Sequence, residues 1–316
     1  MRTQDLMRGS GLMLLAATSW GGLFPVAKAT LAHIDAYFLT AIRYGSAALV
    51  FLALLALVEG RQALRPGARA FELWLFGSFG FAGFSLLAFA GLASTSPEHA
   101  AVIMALMPMI TALLNWALKG NRPGGFTLAA IGVALLGVFL VVTRGNPAAT
   151  FAHASVQGDL LILLGAVSWV IYTLGAGRFA GWSPLRYSAL SCMFGVITIF
   201  SAAAIAVSSG AAHPPTAAAL GAVWAELLYT VVFASVLAVL SWNAGIKTLG
   251  ALNGVLFINF VPITAFAIGL ALGHRFSGAE LVGAALTILA LVANNLYLRR
   301  PRPAMPTLVQ AARRVA

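Results

Sequence analysis

The chain is poor in charge: only 9% of its 316 residues are charged, and just eight of them are acidic. An average soluble domain carries charge on about a quarter of its residues, so a water-facing surface cannot be built from this composition. Cysteine is nearly absent. The single Cys192 lies inside an apolar run, which excludes an intramolecular disulfide and a cysteine-based metal cluster. The five histidines, His33, His99, His153, His213 and His274, fall in or beside gaps between apolar runs, so none is expected to act as an intramembrane ligand. Neither a G-x-S-x-G nor an H-E-x-x-H pattern occurs, which removes the commonest routes to nucleophilic or zinc chemistry in a membrane-embedded enzyme. No metal site and no cofactor is expected, and no ring-forming filter segment suggests a channel.

Apolar residues fill the space, at 61% of the chain. A lipid core about 30 Å thick needs about 20 apolar residues per helical span. Runs of that length fall near 10–28, 36–58, 71–92, 98–118 and 126–143, and again near 158–176, 185–208, 220–244, 252–272 and 278–298. The predicted fold is therefore all-α and integral to the membrane, with ten transmembrane helices. Turn formers punctuate the gaps, as at Pro66-Gly67, Pro123-Gly124 and Pro214-Pro215. The first apolar run follows Arg2 and Arg8, as in a signal peptide, but it has a counterpart in the middle of the chain and is read as a true span.

The net charge of +11 would suggest nucleic acid in a soluble protein. Here the basic residues sit in the short gaps, where they report topology. With the amino terminus placed in the cytoplasm, fifteen of the 19 Lys and Arg residues fall inside; Lys28, Arg144 and Arg275 fall outside, and Arg43 falls within a span. Both termini are accordingly expected in the cytoplasm, with residues 299–316 as a basic tail. The partners expected are the lipid bilayer and a small solute, with no nucleic acid and no obligate protein partner.

The two halves, residues 1–146 and 147–298, echo each other. Ala17-Thr18-Ser19-Trp20 in the first span matches Ala166-Val167-Ser168-Trp169 in the sixth, and the fourth and ninth spans share a central proline, Pro108 and Pro262. Five spans is an odd number, so the second copy is expected to enter the membrane upside down. Inverted repeats recur in transporters, with the solute site near the midplane where the halves meet.

The residues Trp20-Gly21 with Phe24 and Lys28, Ile42-Arg43-Tyr44, and the paired Pro108 and Pro262 make the chain resemble the drug/metabolite transporter superfamily, in its ten-span form with two EamA-like repeats. The resemblance covers nearly the whole chain and implies a multi-pass transporter of the bacterial inner membrane. Within it, aromatic-rich spans look most like exporters of aromatic and neutral amino acids, with drugs or other metabolites as the alternative cargo. Where family members often carry glutamate after the fourth and ninth spans, this chain has Asn121 and His274.

Arg43 is the one ionisable side chain clearly within a span, and an arginine at mid-membrane costs about 2.5–3.5 kcal/mol on insertion scales. It is read either as a group that binds a carboxylate or pairs at a gate, or as a side chain snorkelling to the surface. Trp20 and Trp169, too deep for an interfacial belt, are candidate pocket walls. Phe24, Tyr44, Phe79, Phe84, Met107, Tyr172 and Asn259 complete the candidate solute site, each with helix packing as the competing reading. Trp116 and Trp242 are assigned to the inner belt. Lys28, Gly80, Gly83, Pro108 and Pro262 are gating or hinge candidates: the glycines permit close helix approach, and each proline removes a backbone donor in mid-span. Glu98, Asp159 and Glu280 lie at helix ends, where charge is inexpensive, so a deep proton relay is not expected.

Overall fold

A computed structural model describes residues 3–120, 122–146, 155–249 and 255–298. Among them every regular element is helical. The first half comprises α1 (Thr3–Thr30), α2 (Ala36–Val58), α3 (Ala70–Gly77), α4 (Phe84–Ser94), α5 (Pro97–Ala105), α6 (Met107–Lys119) and α7 (Gly125–Thr143). The second comprises α8 (Ser155–Gly175), α9 (Pro184–Ser208), α10 (Ala217–Ala222), α11 (Trp224–Val231), α12 (Ala238–Leu249), α13 (Phe260–Ala271) and α14 (Gly278–Leu298). The expected tail at 299–316, His153, Asn121 and the start of the expected ninth span lie outside the described residues.

Seven helices are long and apolar enough to cross a membrane, and an eighth span is the pair α5 and α6, bent by 42°. The apolar helices at the expected ninth and tenth spans, Phe257–Ala271 and Gly278–Asn294, are shorter. By length and composition the described residues alone give seven to eight such spans, against the ten expected of the whole chain.

Sequence explains where the helices start. Asp35 accepts from the Phe38 amide, Ser96 from His99 and Ser183 from Arg186, satisfying donors that a helix N-terminus leaves free. Proline follows directly at Pro97 and Pro184, where its missing N–H costs nothing. Pro108 and Pro262 obey the same rule. Each stands near the start of a second helical segment, after a break at Leu106 or a 3₁₀ turn over Val255–Asn259. Each of these mid-span prolines therefore stands just after a break in its helix.

Two spans contain a wide π turn, Ser78–Gly83 between α3 and α4 and Val232–Leu237 between α11 and α12. These six-residue segments are in corresponding places of the two halves. A π turn leaves backbone groups out of the regular ladder and is frequent at functional sites.

Helix packing repeats across the halves too. The second span packs on the seventh (α2 on α9) and the fifth on the tenth (α7 on α14). The third packs on the sixth (α4 on α8) as the eighth packs on the first (α12 on α1), and the first packs on the ninth as the sixth packs on the fourth. Exchanging the halves leaves this pattern unchanged. Small residues set the close approaches, because lipid offers no hydrophobic drive and van der Waals contact must hold the helices. A Cβ on Gly77 would lie 2.0 Å from the Ser191 carbonyl oxygen, and one on Gly137 2.5 Å from that of Gly283. Gly80 and Gly83 likewise approach Tyr172 and Ser168 on α8.

Candidate functional site

A cavity lies at the seam of the two halves. Trp20 and Trp169, from matching positions of α1 and α8, meet edge to face with ring centroids 6.0 Å apart. Around them Leu23, Phe24, Arg43, Tyr44, Phe84, Met104, Met107, Val239, Ile258 and Val261 complete the lining. The cavity volume is about 30 Å³, room for about two waters. A second cavity of about 60 Å³ shares Met107, Trp169 and Ile258 with it and adds Thr111, Thr173 and Trp242. Those three residues lie on the halves of their spans that run toward residues 119, 176 and 249, so the path leads from the Trp pair toward that end of the molecule, here called proximal. The opposite end, with residues 28–36, 94–99 and 272–280, is distal.

Arg43 is the chemical centre of this lining. It is 1% exposed, which rules out the snorkelling alternative. Its Nε donates to the Ser235 hydroxyl at 2.7 Å, one terminal nitrogen to Ser85 at 3.3 Å, and the other to the Ala234 carbonyl at 3.1 Å. The Ala234 oxygen also accepts from Trp20 Nε1 at 3.1 Å. The Ser235 hydroxyl donates in turn to the Thr230 carbonyl at 2.9 Å, and the Ala234 oxygen, within the π turn, serves two side chains from the other half. The guanidinium further lies 4.6 Å from the Tyr44 ring and 5.6 Å from that of Phe89, favourable cation–π placements. Every hydrogen-bond acceptor described for Arg43 is neutral.

Of the expected solute residues, Trp20, Phe24, Arg43, Tyr44, Phe84, Met107 and Trp169 are brought together. Phe79, Tyr172 and Asn259 are not in the lining. Tyr172 instead stacks on Tyr187 and packs on Phe81, and Asn259 is buried at the break before α13. Trp242 is not a belt residue: its ring lies 5.1 Å from Trp20 and lines the path. Trp116 is 39% exposed. Lys28 bends over the end of α4, where Nζ donates to the carbonyls of Leu92, Ala93 and Thr95 at 2.7–2.9 Å. A cation at a helix C-terminus satisfies orphan acceptors and the helix dipole together.

The distal end holds groups that linear position had assigned to water. His99, Glu98, Asp159 and Glu280 are each no more than 5% exposed, so His99 is not a loop histidine without partners. His33 and His213 are exposed as expected. The burial is tertiary: Thr95 and His99 of the fourth span meet Asp159 at the start of α8 and Glu280 at the start of α14.

A multi-pass helical protein with a cavity between two matching halves is built as a membrane transporter. The chain belongs to the EamA-like transporter family, whose model matches residues 7–143 and again residues 156–296. It is 34% identical to the uncharacterized transporter YrdR of Bacillus subtilis, over 95% of both chains. It is 31% identical to YyaM of the same organism, over 92% of this chain and 95% of that one. The uncharacterized inner membrane transporter YedA of Escherichia coli is 22% identical over 99% of each. A solved crystal structure shares the fold, with a TM-score of 0.65 at 24% identity, covering 95% of this chain and all of that one.

Proposed function

We propose that the protein exports small zwitterionic metabolites, foremost aromatic and neutral amino acids, by alternating access across a bacterial inner membrane. Its two halves are read as antiparallel repeats with both termini in the cytoplasm. The observation that carries the substrate class is Arg43, a buried cation that lines the cavity and has only neutral acceptors. A buried charge without an opposite charge is costly, and a ligand carboxylate would form a charge-assisted bond to it. The indoles of Trp20 and Trp169 supply apolar walls for a side chain and π faces for an ammonium. In this reading Pro108 and Pro262, at the helix breaks, together with Gly80 and Gly83, at the π turn, are the hinge positions, while Lys28 gates the distal end. Family kinship with exporters of other metabolites keeps drug-like cargo as the second reading, favoured by an apolar lining with a single charge.

The test is uptake into liposomes holding the purified protein, with a panel of amino acids and amphipathic drugs. Zwitterions are expected to be carried and lipophilic cations excluded; the reverse overturns the proposal. Trp20→Ala and Trp169→Ala are expected to lower transport at least about tenfold, as loss of an aromatic anchor does in a buried site. Trp116→Ala is expected to leave it within about twofold.

A further inference from the structure

We infer that Ser235 is the positioning residue for Arg43: with the Ala234 carbonyl and Ser85 it fixes the guanidinium so that one N–H on each terminal nitrogen is left for a carboxylate. This rests on Arg43 being the carboxylate partner, and it adds what makes that partner selective. An arginine carries five N–H donors in a rigid planar fork. Nε–H goes to Ser235 Oγ at 2.7 Å, one N–H of Nη2 to the Ala234 carbonyl at 3.1 Å and one of Nη1 to Ser85 Oγ at 3.3 Å. Acceptors on adjacent residues of the π turn thus grip the Nε and Nη2 edge of the fork. Two N–H groups remain, one on each terminal nitrogen, and Arg43 borders the cavity. Such a pair can meet both oxygens of a carboxylate in one plane.

The clamp orients the cation without neutralising it. Ser85, Thr230 and Ser235 are fully buried, and the Ser235 hydroxyl spends its hydrogen on the Thr230 carbonyl at 2.9 Å. Its lone pairs are what Arg43 meets, and their direction sets the plane of the guanidinium. An aspartate or glutamate in the same place would hold the arginine as firmly, but it would cancel the charge that a ligand carboxylate needs. A hydroxyl and a carbonyl leave that charge in force. The Ala234 oxygen has a second duty, since it also accepts from Trp20 Nε1 at 3.1 Å. Cation and aromatic wall therefore hang from one backbone atom, which sets the spacing between the groups that meet the carboxylate and the side chain of a single amino acid.

A positioning role and a packing role part company in kinetics. In liposomes, the concentration dependence of phenylalanine transport is measured for the parent, Ser235→Ala, Ser235→Thr and Ser191→Ala, with phenethylamine as the analogue lacking the carboxylate. Ser191 is an equally buried serine whose hydroxyl bonds a carbonyl of its own helix, so Ser191→Ala is the packing control. Ser235→Ala is expected to raise KM for phenylalanine about tenfold, the loss of one hydrogen bond to a charged group, with little change in maximal rate. Phenethylamine transport should not change, so the preference for the acid falls by the same factor. Ser235→Thr keeps the hydroxyl and is expected to restore most of the loss, while Ser191→Ala should stay within about twofold of the parent. If Ser235→Ala does not fold, Ser85→Ala is expected to show the same selective rise, smaller because its bond is the longest of the three. The inference is overturned by an unchanged KM or acid-to-amine ratio in Ser235→Ala or, in its place, Ser85→Ala, by an equal loss in Ser191→Ala, or by no rescue in a folded Ser235→Thr. With the parent's preference for the acid intact, those results strike the positioning role alone; a parent without that preference overturns the carboxylate reading and this inference with it.

Discussion

The two ends of the molecule are tied across the seam by opposite means. At the proximal end, spans of the two halves are joined by exposed pairs: Arg178 to Glu72, Ser183 to Glu59, Arg69 to the Arg178 carbonyl and Arg186 to the Arg65 carbonyl. At the distal end the tie across the seam is buried, with His99 of the first half between Asp159 and Glu280 of the second. Water screens the first set, so each member contributes little and can exchange freely. The second set is held in low dielectric, where losing one partner leaves an uncompensated charge. The cavities fit this division, since they continue from the Trp pair toward the proximal end. A transporter that must close at both ends can thus have one strong, buried closure and one weak, exposed closure.

Substitutions can break or sharpen that contrast. The largest effect is expected for Glu280→Ala, which strips Arg144 and His99 of a shared partner and should cost about 3–5 kcal/mol, read as a lower unfolding midpoint in detergent. Lys28→Met comes next. It removes a charged donor from three carbonyls and should cost about 1.5–3 kcal/mol, seen as a lower unfolding midpoint in detergent, with Lys28→Arg restoring part of it. The smallest effect belongs to the proximal end, where Glu72→Gln breaks a pair whose arginine is 63% exposed and should change stability by less than about 1 kcal/mol. If Glu72→Gln lowered the unfolding midpoint as much as Glu280→Ala, the ends would not differ as described.

Sequence made the scaffold readable because lipid imposes a single rule on length and hydrophobicity. The Trp20 and Trp169 match located the seam, and Arg43 stood out because a lone cation in an apolar run must face something. The π turns escaped notice, since one residue of extra winding has no compositional mark. The prolines were seen, but a broken helix and a kink look the same in one dimension. His99 was missed because its burial arises from the meeting of helices remote in the chain. The available signal was that His99, Asp159 and Glu280 all lie in opening turns of helices beginning at one end.

Between the two closures, everything turns on Arg43 as the partner of a carboxylate. The direct measurement compares transport of phenylalanine and tryptophan with that of phenethylamine and tryptamine, the same side chains without the carboxylate, by the parent and by Arg43→Met in liposomes. The parent is expected to carry the acids and discriminate against the amines by roughly 30-fold or more, the effect of leaving a buried charge unpaired, and Arg43→Met is expected to lose that preference. Equal transport of amines and acids by the parent, or undiminished transport of the acids by Arg43→Met, would contradict the account.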